Sequence, residues 1–198
     1  MIRIKLCGFT LPDDARAAAD AGADLLGVIL WSGTPRGATV QQAAAIRKAV
    51  PEVELVGVFV DEDPDRVERH ADELGLDWIQ LHGHEPAEVV ERFRGRCIRA
   101  VRDGDLTHVP AGIPVLFDRP LAEPSAAADL TAHWHAAASL EREIILAGRL
   151  DPDNVATAVR SARPWGVDTA SGIELRPGVK DHDLIRRFVN NAREATEL

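Results

Sequence analysis

Polar and apolar residues alternate at the start of the chain, "MIRIKLCGFT", so that Ile2, Ile4 and Leu6 share one side of an extended segment and Lys5 and Cys7 the other. Similar short apolar runs recur to the end. They predict strands near Ile2–Cys7, Asp24–Leu30, Leu55–Val60, Trp78–Leu81, Cys97–Val101, Val115–Asp118, Ile144–Ala147 and Val167–Ala170. The intervening stretches read as helices. "AGADLLGVIL", "LGLDWIQL" and "WGVDTAS" each close a helical stretch with Gly-x-Asp, which predicts left-handed helix ends at Gly22, Gly75 and Gly166. Asp63-Pro64, Glu85-Pro86 and Asp151-Pro152 mark the opposite junction, with proline in a first helical turn and an acid beside it.

Eight strands alternating with helices predict an α/β chain folded as a single (β/α)8 barrel over residues 1–198. The competing doubly wound sheet fits less well, because no strand leads into GxGxxG and its common strand orders use about five or six strands. The helical pattern is weakest after the fifth and sixth strands. "DGDLTHVP" is short, and "LAEPSAAADLTAHWHAAAS" is alanine-rich with an early proline.

Composition narrows the partners. A formal net charge of −9 argues against nucleic acid or an anionic membrane, which draw on clustered Lys and Arg. Two distant cysteines, Cys7 and Cys97, suggest no disulfide framework, and no signal-peptide pattern or bilayer-length apolar run is present. The expected setting is cytoplasmic.

Barrel chemistry lies where strands end. The eight ends gather Cys7, the "WSGTPRG" loop with Arg36, Asp61, His82, Arg102, Asp118, Gly148 and Asp168–Gly172. This set holds a thiol able to act as a base, a carboxyl able to act as an acid, a guanidinium for an anion, and small-residue loops after strands 7 and 8 where barrels often bind phosphate.

The blocks "IKLCGFT", "GADLLGVILWSGTPRGATVQQAAAI", "LVGVFVDEDPDRV", "LGLDWIQLHGHE", "ILAGRLDPDNVATAV" and "WGVDTASGIELRPGVKDHDLIRRFV" together resemble the phosphoribosylanthranilate isomerases of tryptophan biosynthesis, in order and over nearly the whole chain. The resemblance implies an Amadori rearrangement of N-(5-phosphoribosyl)anthranilate to 1-(2-carboxyphenylamino)-1-deoxyribulose 5-phosphate, with no metal or organic cofactor. It also implies Cys7 as general base, Asp118 as general acid and Arg36 as partner of the anthranilate carboxylate. His82, Gly148, Arg149, Asp168, Ser171 and Gly172 join the substrate-binding set, the glycines and Ser171 as phosphate-cup positions. The roles require a lowered thiol pKa, or substrate bound to the thiolate form, and a raised carboxyl pKa.

Three departures from the family pattern stand out. A glycine-rich stretch usually follows the strand 6 aspartate, whereas this chain has "DRPLAEPSAAADLTAHW"; "AGGL" is "AGRL", so Arg149 replaces a glycine; and Gly37 stands where an aromatic commonly follows the arginine. They motivate two alternatives: isomerisation of another aminosugar phosphate, and a barrel that binds a sugar phosphate or a partner without turnover. The pair His82 and His84 in "HGHE" could mimic a metal site but needs further ligands from other strands. The tryptophans and Cys97 read as packing residues, and His133 and His135 as surface histidines. Oligomeric state has no signal in the chain.

Overall fold

The computed structural model describes residues 1–102, 104–119 and 127–196. Eight parallel strands close in sequence order into a barrel: β1 (Arg3–Cys7), β2 (Leu25–Ile29), β3 (Glu54–Phe59), β4 (Trp78–Leu81), β5 (Cys97–Val101), β6 (Val115–Phe117), β7 (Ile144–Leu146) and β8 (Gly166–Thr169). Closure comes from β8 pairing with β1, in the register Ile4 with Val167 and Lys5 with Asp168. The predicted strands are all present, with ends shifted by a residue or two.

Period-two alternation sorts the side chains. Cys7, Leu25, Val56, Val58, Ile98, Ala100, Leu116, Ile145 and Ala147 fill the barrel, while Ile4, Leu6, Leu26, Leu55, Ile79 and Val167 face the helical layer. At the end where the strands begin, Arg3 pairs with Glu54 at 2.7 Å and lies over the Trp165 ring, and the Trp78 indole N–H donates to the same Glu54 carboxylate.

The helices are α1 (Pro12–Asp20), α2 (Val40–Ala49), α3 (Pro64–Leu74), α4 (Ala87–Arg92), α5 (Ala127–Ala138), α6 (Val155–Ala162) and α7 (His182–Glu194). Their starts follow local chemistry. Thr39 and Gln42 form a reciprocal capping box on α2, and Asp63 and Asp181 cap α3 and α7 through their carboxylates. Pro64 occupies the first turn of α3, where its missing N–H costs nothing. Asp151 accepts from the N–H groups of Asp153 and Asn154 in the turn that leads into α6.

Several expectations need correction. Among the described residues no helix joins β5 to β6, whereas the alanine-rich stretch after β6 does form α5. Gly22 and Gly75 have the left-handed φ expected of them, but Gly166 does not: α6 ends at Arg163, with φ 45°, and Gly166 opens β8. Its small size has another cause, since a Cβ there would lie 2.9 Å from the Arg3 carbonyl oxygen. His133 is buried, stacked on Phe117 at 4.6 Å, with Nε2 3.0 Å from the Ala147 carbonyl; only His135 is exposed. Residues 174–180 form a small antiparallel hairpin, β9 (Glu174–Arg176) and β10 (Val179–Lys180), that the pattern did not predict. Of the altered stretch after strand 6, residues 118–134, the part over 120–126 lies outside the described residues, and the part over 127–134 belongs to α5.

Because the obstacle at Gly166 is backbone at the barrel seam, Gly166→Ala should lower stability by about 1–3 kcal/mol, the usual cost of overpacking a tight site. Urea unfolding of the two proteins checks this; an unchanged midpoint would show that the seam relaxes.

Candidate active site

The site sits where the barrel strands end. Cys7 is the last residue of β1, and its Sγ occupies space that only a glycine at 27 leaves open: a Cβ there would lie 2.6 Å from the sulfur. Gly8 follows with φ 81°, a left-handed turn that carries the chain away from the strand. Below the thiol, the buried Lys5 ammonium donates to Asp168 Oδ1 at 2.8 Å. Burial works against the Lys5 charge, but the Asp168 carboxylate and the Cys7 sulfur outweigh it and hold the ammonium above its usual range.

For the thiol, in contrast, burial prevails. It pushes Cys7 above the ordinary thiol range, although the nearby Lys5 and Lys180 charges pull the other way. Cys97, on the helix-facing side of β5, is an inert core thiol pushed up to about 12 by burial.

Asp118 directly follows β6, three strands round the barrel from β1. Its backbone N–H donates to the Val101 carbonyl, which fixes where the side chain leaves the sheet. One carboxylate oxygen accepts from the Arg119 N–H at 2.8 Å, and the other lies 3.5 Å from His82 Nε2. Burial alone would raise this carboxyl; His82, the Arg119 N–H and the Arg102 charge overcome it and hold Asp118 below the usual carboxylate range. The protein groups therefore set both pKa values opposite to the expected directions, with the thiol high and the acid low.

His82 follows β4, and its Nδ1 lies 2.9 Å from the Gln80 amide nitrogen. With Nδ1 accepting from Gln80, Nε2 carries the hydrogen that faces Asp118. Gln80 is a buried amide at an interior position of "WIQL", a signal of a polar role at that strand end that is visible in the sequence. The two histidines of "HGHE" part company: His82 faces Asp118, whereas His84 is exposed beside Asp61. Asp61, with φ 49°, accepts from the His84 N–H and braces that loop. Among the described residues no three His, Cys, Asp or Glu side chains gather as a metal site.

Arg36 projects from the loop after β2. That loop is fitted to glycine at 37, where a Cβ would lie 2.6 Å from the Trp31 carbonyl oxygen. The guanidinium meets Glu174, a partner the sequence reading missed together with Lys180. After β7 and β8, Gly148 and Arg149 both take positive φ, 91° and 58°. The substitution of arginine thus falls on a residue whose backbone favours glycine. Gly172, in the turn Ser171–Ile173, has no room for a Cβ because the Leu150 carbonyl oxygen would sit 2.0 Å from it. Thr169 donates to that same carbonyl at 2.6 Å, so the two loops lock together. Ser171 and Arg149 lie at their exposed rim, whereas Asp168 is committed to Lys5.

A closed parallel barrel with a thiol, a carboxyl and an arginine at its strand ends, beside two interlocked glycine loops, is a (β/α)8 enzyme equipped for proton transfer. The family model "N-(5'phosphoribosyl)anthranilate (PRA) isomerase" matches residues 4–191, and the chain belongs to that family. The N-(5'-phosphoribosyl)anthranilate isomerase of Pelobacter propionicus is 39% identical over 202 residues, covering 98% of this chain and 97% of the relative. The phosphoribosyl anthranilate isomerase of Thermotoga maritima superposes with a TM-score of 0.86 at 32% identity, covering 98% of this chain and all of that one. Another solved isomerase, in complex with reduced 1-(o-carboxyphenylamino)-1-deoxyribulose 5-phosphate, has a TM-score of 0.85 at 33% identity, with 98% and 100% covered.

The raised thiol has a direct readout. Ultraviolet thiolate absorbance of the folded protein should show no step at about pH 8.5, the ordinary thiol value, and should rise only at higher pH. A step below that value would mean that the two lysines outweigh burial.

Proposed function

We propose that the protein converts N-(5-phosphoribosyl)anthranilate to 1-(2-carboxyphenylamino)-1-deoxyribulose 5-phosphate, with Cys7 as general base and Asp118 as general acid. The observation that carries this reading is the thiol and the carboxyl at the ends of β1 and β6 in a chain whose family match runs over residues 4–191. Protonated Asp118 gives its proton to the ribose ring oxygen as the ring carbon–oxygen bond opens, which leaves an iminium. The iminium acidifies the neighbouring C2 proton. The Cys7 thiolate removes that proton, and the resulting enolamine tautomerises to the ketone. Oxidation at C2 and reduction at C1 balance within one molecule, so the chemistry needs no metal, redox cofactor or second substrate.

Arg36 pairs with the anthranilate carboxylate, as a planar guanidinium does best. Gly148, Arg149, Ser171 and Gly172 surround the phosphate, His82 holds the acid, and Asp168 keeps Lys5 beneath the thiol. Arg149, exposed at the rim, adds a positive charge beside the phosphate. The substrate is a phosphorylated small molecule. No described helix is long and apolar enough to cross a membrane, and the net charge of −9 argues against nucleic acid or an anionic membrane as partner. The two distant cysteines, with no disulfide framework, support a cytoplasmic setting. One barrel domain carries the whole activity.

With the thiol titrating above the carboxyl, the reactive arrangement (thiolate with protonated acid) has the same proton count as the prevalent one. Its share is therefore constant between the two pKa values. The kcat/KM profile should be flat across neutrality. It should fall on the acid side as Asp118 gains a proton in the prevalent form, and on the alkaline side as the thiol loses one. A narrow optimum near neutrality would contradict this pairing.

The decisive assay follows the fluorescence of freshly made phosphoribosylanthranilate. Wild-type protein should remove it rapidly, and Cys7→Ser and Asp118→Asn should each cost about 10²–10⁴ in rate, the usual range for a general base or acid. No decay with folded wild-type protein would redirect the reading to another aminosugar phosphate or to binding without turnover.

A further inference from the structure

Among the described residues, the Arg36 guanidinium is held from one side only. Its Nε donates to both oxygens of Glu174 at 3.0 Å, and its Nη2 donates to Oε2 at 2.8 Å. The Glu174 side chain is 4% exposed, against 25% for Arg36. The same carboxylate accepts from Lys180 Nζ at 3.0 Å and from the Gly178 N–H at 3.1 Å, so both strands of the hairpin and its turn fix it. Lys180 is fully buried, and its remaining donors reach the carbonyl oxygens of Cys7, at 2.6 Å, and Ala170, at 3.0 Å. One ammonium thus ties the residue that bears the thiol, the loop after β8, and the carboxylate that grips Arg36.

The way Arg36 is gripped matters. A guanidinium can take a carboxylate along its side edge, Nε with one Nη, or along its end edge, Nη1 with Nη2. Glu174 occupies the side edge. No acceptor among the described residues lies against Nη1, so the end edge is left for a second carboxylate. The arginine stem is confined as well: a Cβ on Gly8 would lie 3.2 Å from Arg36 Cδ and 3.5 Å from Lys180 Nζ. Two cations around one internal carboxylate leave one net positive charge, which matches a single carboxylate on the ligand.

We infer that Glu174, anchored by Lys180, is the positioning residue for recognition of the substrate's aromatic carboxylate: it fixes Arg36 by the side edge so that the end edge meets the ligand at a set distance from Cys7. This rests on the reading above that Arg36 binds that carboxylate. A carboxylate that only stabilised the hairpin would not distinguish substrates with and without the ligand carboxylate, and that distinction is the test.

The experiment compares wild type, Glu174→Ala, Glu174→Gln, Arg36→Met and the double variant Arg36→Met with Glu174→Ala on two substrates: phosphoribosylanthranilate, and the analogue prepared from aniline, which lacks the carboxylate. Glu174→Ala should raise KM for the first by about 10- to 100-fold, the loss of a charge-assisted contact, with a smaller change in kcat. Glu174→Gln keeps an acceptor oxygen and should recover part of the loss. On the aniline analogue Glu174→Ala should match wild type within about twofold, and the double variant should be no worse than Arg36→Met on the carboxylated substrate. Equal losses on both substrates, or an unchanged KM, would overturn the inference. Calorimetry with reduced 1-(o-carboxyphenylamino)-1-deoxyribulose 5-phosphate separates it from the isomerase reading. Weaker binding by Glu174→Gln supports positioning even if wild type does not turn over, a result that would count against the isomerase reading alone; unchanged binding overturns positioning. Should the alanine variant fail to fold, the near-isosteric glutamine variant carries the same comparisons.

Discussion

The seam between β1 and β8 is the constraint on which the rest depends. A barrel has no free edge only if its last strand meets its first in one register, and here Lys5 stands opposite Asp168 with their charges 2.8 Å apart in the interior. A slip of either strand by one residue would turn its charge toward the apolar helical layer and leave the other unpaired in the interior, where an unpaired ion costs several kcal/mol. The pair is therefore better understood as a register lock than as a source of net stability. Once Lys5 points inward, so must Cys7, and the thiol arrives at the strand end opposite the one residue, Gly27, that leaves room for its sulfur.

Above that seam the chain repeatedly needs backbone that most side chains resist. Gly8 turns away from the thiol, Gly148 opens the loop after β7, and Gly172 lies against the Leu150 carbonyl. Packing of loop on loop, more than any one hydrogen bond, sets where the strand-end groups stand. Arg149 breaks the local rule, taking positive φ without being glycine. A residue kept in that region at the rim of a glycine loop is strained, and strain of this kind persists where the surroundings over-determine the conformation. Asn154 supplies part of that determination, since its side chain donates to the Arg149 carbonyl.

The barrel was legible because its strands are short apolar runs, each buried on both faces, at regular separations. The helix ends were less so. "WGVDTAS" has the same Gly-x-Asp spelling as "LGLDWIQL", yet α6 stops three residues before Gly166, at Arg163, and the glycine serves strand contact instead. His133 misled for a related reason: on an alanine-rich helix the apolar face has little contrast, and its burial depends on stacking against Phe117. Cys7, Asp118 and Arg36 could be nominated by strand-end position and family motif. Glu174 and Lys180 could not, because charges flanking a Pro-Gly turn look solvated. Their partners lie far away in the chain, Arg36 for one and the Cys7 carbonyl for the other.

The pKa directions were also beyond the sequence, and they change how the acid–base pair should be understood. A thiol lowered toward neutrality would be abundant as thiolate but correspondingly weak as a base. Burial does the reverse here, making the thiolate scarce and strong. Removal of a proton from carbon benefits from basic strength, so part of the loss in population returns as reactivity. The two lysines keep the scarcity bounded, since Lys5 and Lys180 both favour the thiolate against burial. Asp118 meets the same compromise from the other side: held low by His82, the Arg119 N–H and Arg102, it is seldom protonated but strongly acidic when it is. In the proposed reaction the substrate's negative charge would raise that carboxyl from its low value toward the protonated form, and would push the thiol in the same direction. The protein thus holds both groups away from their proposed reactive forms, and the reaction as proposed draws on the small share of molecules in which the proton sits on Asp118 and not on Cys7.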